Sequence, residues 1–164
     1  MISMIFCTDM NGGIGINNDL LFNIPDDMKF FKEITTGHKV VMGYNTWLSL
    51  PKKPLPNREN YVLYDGEEPI EGAKVLKNID ELKELSKNEK VFVIGGATVY
   101  NELLYSGLVD EAYVTMVNVY TLADVFVDLT ELNRKLVNRY FIKDFNCEDF
   151  EVQLFRYSTD RIYV

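Results

Sequence analysis

The sequence predicts an α/β fold in which a mixed β-sheet carries helices on both faces. Through the first two thirds of the chain, apolar runs typical of buried strands alternate with helical patterns, the order expected of parallel strands joined by crossover helices. Near the other end, residues 140–145 are followed by alternating Phe150, Val152 and Leu154, a pattern typical of an antiparallel pair. A length of 164 residues suits one domain, so we expect a single domain over residues 1–164.

The N-terminal half contains clear start and stop signals. Residues 2–8 are an apolar run expected to form a buried strand, and residues 9–24 are a polar, glycine- and asparagine-rich segment expected to be a long, functional loop. Pro25 opens a helix that Gly37 ends, because proline suits a first helical turn and glycine follows a last one. The next predicted elements are a strand at 39–42, a helix at 43–50, and strands at 61–64 and 73–76.

The remaining elements lead to the C-terminal pair. Asn78 and Glu81 have the spacing of a capping box, which predicts a helix over residues 79–87. After it, the predicted elements are a buried strand at 90–94, a helix at 98–105 and a strand at 111–119.

Composition and charge narrow the function classes. The net charge is −8, and the longest basic tract is the pair Lys52 and Lys53, which argues against nucleic acid or an anionic membrane as the main partner. His38 is the only histidine, so His-based triads and His-ligated metal sites are excluded and no metal is expected. Residues 1–7 are too short for a signal-peptide core, and no run approaches the ~20 apolar residues of a membrane span. We therefore expect a cytoplasmic protein and, without a long apolar stripe, a monomer.

Asp27 is the candidate catalytic carboxylate. Asp27, Phe31 and Ile34 are spaced to share one helical face, whereas Asp26 falls on a more polar side. A first-turn aspartate is often only a favourable partner of the helix dipole. A buried carboxylate, however, must be paired, neutralised or used, and a raised pKa would let it hold or supply a proton.

Three further features indicate an anionic ligand. Gly43 and the pair Gly95 and Gly96 each follow a predicted strand and precede a helix, where free backbone N–H groups can bind phosphate. Two such junctions in one small domain suit a ligand with two phosphates. Arg58 stands alone in a proline-rich segment; it is either a solvated surface residue or a bidentate clamp for a carboxylate.

Four motifs resemble, in order and spacing, those of the dihydrofolate reductase family. The first is the helix start around Pro25 and Asp27, within residues 23–32, and the others are residues 42–47, 54–58 and 94–96. The resemblance covers Met1 to about Asp128, and the C-terminal pair is compatible with it. Each motif alone is modest, but four in register are highly specific.

The resemblance implies an eight-stranded, mostly parallel mixed sheet with four helices and a C-terminal antiparallel hairpin. It also implies an NADPH-dependent oxidoreductase that transfers hydride to C6 of dihydrofolate while N5 is protonated, and that antifolates inhibit. Asp27 would hydrogen-bond N3 and the 2-amino group of the pterin, assisted by Thr115. Arg58, with Lys32 nearby, would hold the substrate's glutamate carboxylate. The residues lining the pterin and benzoyl pocket would be Ile5, Met28, Phe31, Leu50 and Leu55.

The resemblance further implies where the cofactor binds. The backbone at Cys7 and at Ile14, next to Gly15, would fix the nicotinamide carboxamide. A loop from Asn11 to Phe22, with Leu20 at its centre, would close over the nicotinamide, and Asp124 would hold that loop. The Gly95–Gly96 peptide bond would be cis. Gly43 to Thr46 and Gly96 to Val99 would cradle the cofactor's phosphates. The full set of these cofactor-binding residues would be Gly43, Tyr44, Asn45, Thr46, Leu63, Tyr64, Asp65, Lys77, Ile94, Gly95, Gly96, Ala97, Thr98, Val99 and Tyr100.

The chain departs from the family pattern at three positions. Phe22 stands where tryptophan is common, so an indole N–H that can hold an ordered water on the proton route to N5 is missing. Tyr44 stands where an arginine often grips the cofactor's 2′-phosphate, and Asp65 would repel that phosphate. Lys77 could compensate, but we predict a reduced preference for NADPH over NADH.

Two other functions are compatible with the fold class, and particular residues argue against each. A riboflavin-pathway pyrimidine reductase of the same fold would lack the Pro-x-Asp helix and the Pro-Leu-Pro-x-Arg clamp. A non-catalytic nucleotide-binding or assembly protein would need none of Asp27, Thr115 and Arg58.

Overall fold

The computed structural model describes residues 1–159. Within that range it contains five helices, a large sheet and a small sheet. The helices are α1 (Pro25–Thr35), α2 (Tyr44–Ser49), α3 (Ile79–Leu85), α4 (Ala97–Tyr105) and α5 (Leu129–Lys135). The strands are β1 (Ile2–Thr8), β2 (Gly13–Ile16), β3 (Asp19–Leu20), β4 (Lys39–Gly43), β5 (Glu59–Leu63), β6 (Lys74–Leu76), β7 (Val91–Gly95), β8 (Glu111–Val117), β9 (Val125–Phe126), β10 (Asn138–Phe145) and β11 (Val152–Ser158).

The large sheet has eight strands in the order β10-β11-β8-β1-β7-β4-β5-β6. The five pairings from β8 to β6 are parallel, and β11 pairs antiparallel with both β8 and β10. The prediction of a mixed, mostly parallel eight-stranded sheet with a C-terminal hairpin is confirmed. β1 lies near the middle, so its C-terminal end is next to both the Thr115 region of β8 and the glycine junction after β7.

Two helix starts show how the sequence sets their boundaries. Pro25 occupies the first turn of α1, with two aspartates in that turn and Lys32 in the last, a charge order that complements the helix dipole. At α3 the Asn78 side chain accepts a hydrogen bond from the N–H of Glu81 (3.0 Å), as the capping pattern predicts. The return bond differs, because the Glu81 carboxylate accepts from the N–H of Lys77 (2.7 Å) instead of that of Asn78.

The expectation of an irregular loop over residues 9–24 is wrong. β2 and β3 form a hairpin there, and β2 also pairs with β9 to give a three-stranded sheet. Asn17 and Asn18 form its turn with φ of 52° and 62°, left-handed values that asparagine tolerates better than most residues. α5 is an addition to the four helices that the resemblance implies.

Helices lie on both faces of the large sheet, as predicted. β1 alternates: Met4 and Phe6 lie in one core with Tyr100 of α4, whereas Ile5 lies in the other with Trp47 of α2. Helices α3, α4 and α5 therefore cover one face, and α1 and α2 cover the other. Among the described residues, no helix has the length and apolar character needed to cross a membrane.

Candidate active site

The start of α1 brings Asp27 against the middle of the large sheet. Thr115 of β8 donates a hydrogen bond from Oγ1 to Asp27 Oδ1 at 2.5 Å. Thr115 is paired with Cys7 of β1, so the carboxylate lies at the centre of the sheet. The neighbouring Asp26 is bound elsewhere: its Oδ2 accepts from the N–H of Asn146 at 2.8 Å. As the helical-face argument predicts, the two carboxylates face different surroundings, Asp27 the sheet and Asp26 the turn between β10 and β11.

The electrostatics at Asp27 favour retention of a proton. Burial raises the pKa of Asp27, and the hydrogen bond from Thr115 opposes that rise without cancelling it. The same surroundings raise the pKa of the Cys7 thiol, through burial first and through the charge of Asp27 second. A half-buried carboxyl group with one donor and an elevated pKa can hold a polar ligand edge and exchange a proton with it.

An apolar wall adjoins Asp27. Ile5 is buried, and Phe31, Leu50 and Leu55 are partly buried against the same cluster. Met28, one residue after Asp27, is 58% exposed, which places it at the mouth rather than in the wall. The four lining residues give a flat aromatic ligand an apolar surface beside one ionisable group.

Arg58 is held in place by the same wall. Its Nε donates to the carbonyl of Pro56 (2.9 Å), and its Nη1 donates to Thr35 Oγ1 (3.0 Å). The guanidinium also lies over the Phe31 ring, 5.9 Å from the ring centre. Among residues 1–159, no hydrogen bond uses Nη2, so an orientated donor remains for a carboxylate. Lys32 is exposed in the last turn of α1.

The two glycine junctions lie side by side. β4 and β7 are parallel neighbours, with Met42 paired to Gly95. The Gly95–Gly96 bond is cis, as predicted. A Cβ on Gly95 would lie 2.8 Å from Thr46 Oγ1, and one on Gly43 would lie 3.2 Å from Val99. The two helix starts thus pack closely only because these positions have no side chain.

Both junctions leave donors available. The N-cap residues of α2 and α4 are glycines, so neither helix start has a side-chain cap, and the first-turn N–H groups point outward. The residues that follow the second junction are Ala97, Thr98 and Val99, with Thr98 exposed. The donor set fits a dinucleotide pyrophosphate. Tyr100 is buried, and its hydroxyl donates to the carbonyl of Ile5 at 2.6 Å, so it supports β1.

Aromatic and acidic side chains, rather than basic ones, cluster beyond the C-terminal ends of β4 and β5. The rings of Tyr44 and Tyr64 stack with centroids 4.5 Å apart. The Tyr64 hydroxyl donates to Glu68 Oε2 (2.6 Å), and this bond raises the pKa of Tyr64 to about 12. Lys77 donates to the carbonyl of Gly66, and Asp65 is exposed. The cation expected to compensate for Asp65 is therefore already bound to the backbone.

The Asn11–Phe22 segment adjoins the site as a hairpin. Leu20, at the end of β3, is 76% exposed. Asp124 contacts the hairpin twice: its N–H donates to the carbonyl of Gly15, and its Oδ2 accepts from the N–H of Asn17, both at 3.0 Å. Ile14 directly precedes Gly15 on β2 and is partly buried against the core.

Phe22 contacts the turn between β10 and β11, a contact that the sequence did not predict. Its ring meets Phe150 edge-on, with centroids 5.7 Å apart. Phe150 belongs to the turn between β10 and β11, which also binds Asp26 through the N–H of Asn146. That turn closes the outer side of the Asp27 site. The sequence pattern indicates only that Phe150 belongs to an alternating strand and gives no sign of its contact with Phe22.

Asp9 is a second residue that the sequence argument missed. It is fully buried (0% exposed) directly after β1. Its position between an apolar strand and a glycine-rich segment is visible in the sequence, but that position does not distinguish a buried carboxylate from a solvated one. In the described part of the chain, no group of three or more histidine, cysteine or acidic side chains is arranged to hold a metal ion.

Comparisons with known proteins show which family the chain resembles. A family model described as dihydrofolate reductase matches residues 1–158. The dihydrofolate reductase of Bacillus subtilis (strain 168) is 38% identical over 141 residues, which are 84% of this chain and 82% of that protein. That of Staphylococcus aureus (strain Mu50) is 36% identical over 126 residues, 76% of each chain.

A solved structure agrees as well. Dihydrofolate reductase from Enterococcus faecalis, complexed with NADP(H) and RAB-propyl, superposes with a TM-score of 0.78 at 28% identity, covering 98% of this chain and 97% of its own. The resemblance read from four short motifs thus extends over nearly the whole chain. The chain belongs to the dihydrofolate reductase family.

Proposed function

We propose that this chain reduces dihydrofolate to tetrahydrofolate with a nicotinamide cofactor, by hydride transfer to C6 and protonation at N5. The observation that carries the proposal is the Asp27–Thr115 pair, a carboxyl group with a raised pKa at the edge of an apolar wall. Membership of the family and the named activity of its relatives support it.

Asp27 and Thr115 would orient the substrate's pterin. The carboxylate accepts hydrogen bonds, so it suits N3–H and the 2-amino group, and the Thr115 hydroxyl fixes the carboxylate's direction. Ile5, Phe31 and the neighbouring leucines would enclose the ring and the benzoyl group, and would exclude water from the proton that Asp27 holds. With phenylalanine at position 22, no indole N–H is present there to fix a water on the proton's path to N5.

Arg58 would bind the substrate's glutamate carboxylate. Its two hydrogen bonds to Pro56 and Thr35 fix the guanidinium plane before any ligand arrives. A pre-orientated guanidinium loses less entropy on forming a bidentate contact than a free one. Lys32, which is exposed in the last turn of α1, would add a second positive charge at longer range.

The nicotinamide cofactor supplies the hydride when bound. The backbone at Cys7 and Ile14 would hold its carboxamide, and the first-turn N–H groups of α2 and α4 would hold its phosphates. The β2–β3 hairpin would cover the nicotinamide ring and exclude water from the reacting atoms. Leu20, at the end of β3, is mostly exposed, so its side chain is available to contact a ligand.

NADPH is the proposed cofactor, with a weaker preference over NADH than the family pattern would give. The 2′-phosphate would approach Tyr44 and Tyr64 rather than an arginine and a serine, and it would face the charges of Asp65 and Glu68. Lys77 is the nearby cation, and its ammonium is bound to Gly66. Steady-state kcat/KM measured with both cofactors tests this: a ratio of roughly a thousand or more in favour of NADPH, a discrimination of about 4 kcal/mol, contradicts it.

We also propose that the protein is cytoplasmic and acts as a monomer, because its sequence has no long apolar stripe. Light scattering of the purified protein should give the mass of a single chain. A dimer mass at assay concentration would contradict that.

The assay of the function follows the absorbance of NADPH with dihydrofolate. Wild-type protein should turn over, and Asp27→Asn should lose most activity at neutral pH because the neutral amide can neither accept both pterin hydrogen bonds nor hold the proton. Asp26→Asn is the matched control: it changes the neighbouring carboxylate of the same helical turn and should stay active. No turnover by wild type, or full activity of Asp27→Asn, would refute the proposal.

A further inference from the structure

Asp9 has an unusual degree of hydrogen bonding for a carboxylate outside the pocket. It is fully buried. Oδ1 accepts from the N–H groups of Asn11 (2.9 Å) and Gly13 (2.8 Å). Oδ2 accepts from the N–H and from Oγ1 of Thr121, both at 2.9 Å. A buried ionised carboxylate is costly unless its lone pairs are used, and here four donors use them.

These four bonds join two separate segments. Asn11 and Gly13 belong to the turn that leads from β1 into β2, whereas Thr121 lies in the connection between β8 and β9. Backbone bonds reinforce the junction: the N–H of Met10 donates to the carbonyl of Val119 at 2.9 Å, and that of Asp9 donates to the carbonyl of Gly13 at 3.1 Å.

The junction is also closely packed. A Cβ on Gly13 would lie 2.8 Å from the Ala123 Cβ and 3.1 Å from Asp9 Oδ1. Neither distance leaves room for a side chain, so the glycine lets the carboxylate reach the turn. Burial alone would raise the pKa of Asp9, but the hydrogen bonds from Thr121, Asn11 and Gly13 outweigh it, and the pKa lies below its usual value. The group is therefore ionised at neutral pH.

The position of the junction gives it a functional consequence. Cys7 lies on β1, two residues before Asp9, and Ile14 lies on β2, directly after Gly13. These are the two backbone positions assigned to the nicotinamide carboxamide. A shift of the Asn11–Gly13 turn would move Ile14 relative to Cys7 while leaving Asp27, Thr115 and Arg58 in place.

We propose that Asp9 is a positioning residue for the cofactor: by tying the Asn11–Gly13 turn to Thr121, it sets the distance between the Cys7 and Ile14 backbone groups that receive the nicotinamide. This inference rests on the proposed function. It predicts that damage to the junction weakens cofactor binding and spares pterin binding.

Asp9→Asn is the direct test, because the amide has nearly the same shape. The amide oxygen can still accept from Asn11 and Gly13, but its NH2 group then faces the N–H of Thr121, donor against donor. We expect the Kd for NADP+, measured by calorimetry, and the KM for NADPH to rise roughly tenfold or more, as for the loss of one hydrogen bond to a charged group. The Kd for folate and the KM for dihydrofolate should change less than about twofold, a fraction of one hydrogen bond.

Asp110→Asn is the matched control. Asp110 Oδ2 accepts from the N–H of Ile2 at 2.8 Å, so it anchors the opposite end of the same strand. Its loss should lower the melting temperature without changing the Kd for NADP+. An Asp9→Asn protein that melts lower but binds NADP+ like wild type, or that loses folate and NADP+ affinity equally, overturns the proposal.

Two milder variants keep the test decisive if Asp9→Asn does not fold. Thr121→Val removes the Oγ1 donor and keeps the N–H, whereas Thr121→Ser keeps both. We expect weaker NADP+ binding in the valine variant and wild-type binding in the serine variant; equal Kd values in the two would refute the inference. A wild-type protein that binds neither folate nor NADP+ would refute the proposed function itself, which is a separate outcome.

Discussion

Replacing Thr115 by valine removes the hydroxyl that donates to Asp27 and keeps nearly the same shape in the strand. The lost bond is 2.5 Å long and is made to a half-buried carboxylate. A hydrogen bond to a charged group contributes about 1.5–3 kcal/mol, and one pKa unit corresponds to about 1.4 kcal/mol. Because the bond stabilises the ionised form, its loss should raise the pKa of Asp27 further.

The assay is the pH dependence of kcat/KM for dihydrofolate, which reports ionisations of the free enzyme. If the protonated carboxyl is the form that supports transfer to N5, activity falls as the pH rises through the pKa of Asp27. In Thr115→Val that alkaline fall should move to higher pH, while the maximal rate drops because the pterin loses an orientating contact. Thr130→Val, an exposed threonine of α5, should change neither quantity. A fall that stays in place or moves to lower pH in a folded Thr115→Val protein would refute the reasoning.

Three further outcomes are expected. Asp27→Asn should melt at or above the wild-type temperature at neutral pH. Burial raises the pKa of Asp27, so ionising this carboxyl group in the folded protein costs about 1.4 kcal/mol of stability for each unit of that rise. The advantage of the variant in thermal melts should vanish below the unfolded-state pKa of about 4, and a difference that persists there would contradict ionisation as its cause. Tyr44→Arg should raise the NADPH-to-NADH ratio of kcat/KM roughly tenfold, through a charge-assisted contact to the 2′-phosphate; an unchanged ratio would mean that the phosphate does not approach this position. Phe150→Ala should shift the pH profile by removing the ring that packs on Phe22, whereas Phe141→Ala, in a similar edge-on pair with Phe155, should leave the profile unchanged; equal shifts would show a general loss of stability instead.

The large sheet and the first four helices were predictable because local signals mark their ends. Pro25 and Asn78 are helix starts that need no knowledge of the rest of the chain, and apolar runs such as Val91–Gly95 are buried wherever they pair. The small sheet differs, because β3 and β9 have two residues each, and β9 pairs with β2, which is distant in sequence. The left-handed turn at Asn17 and Asn18 was nevertheless a readable hairpin signal.

The candidate site likewise contains residues that the sequence predicts and residues that it does not. Helical spacing separated Asp27 from Asp26, but it could not supply Thr115, which lies 88 positions away in sequence; only the family resemblance connected them. Asp9 was missed because its role comes from four donors on two segments that the fold brings together. A single aspartate after a strand has no sequence signature that distinguishes a solvated residue from a buried junction.

The path of the hydride tests the central claim most directly. With NADPH deuterated at the transferred position of the nicotinamide C4, the account predicts tetrahydrofolate that carries one deuterium at C6, seen by mass spectrometry and NMR, at a rate that Asp27→Asn sharply reduces at neutral pH and Asp26→Asn does not. A product without deuterium at C6, or equal rates for the two aspartate variants, would contradict it.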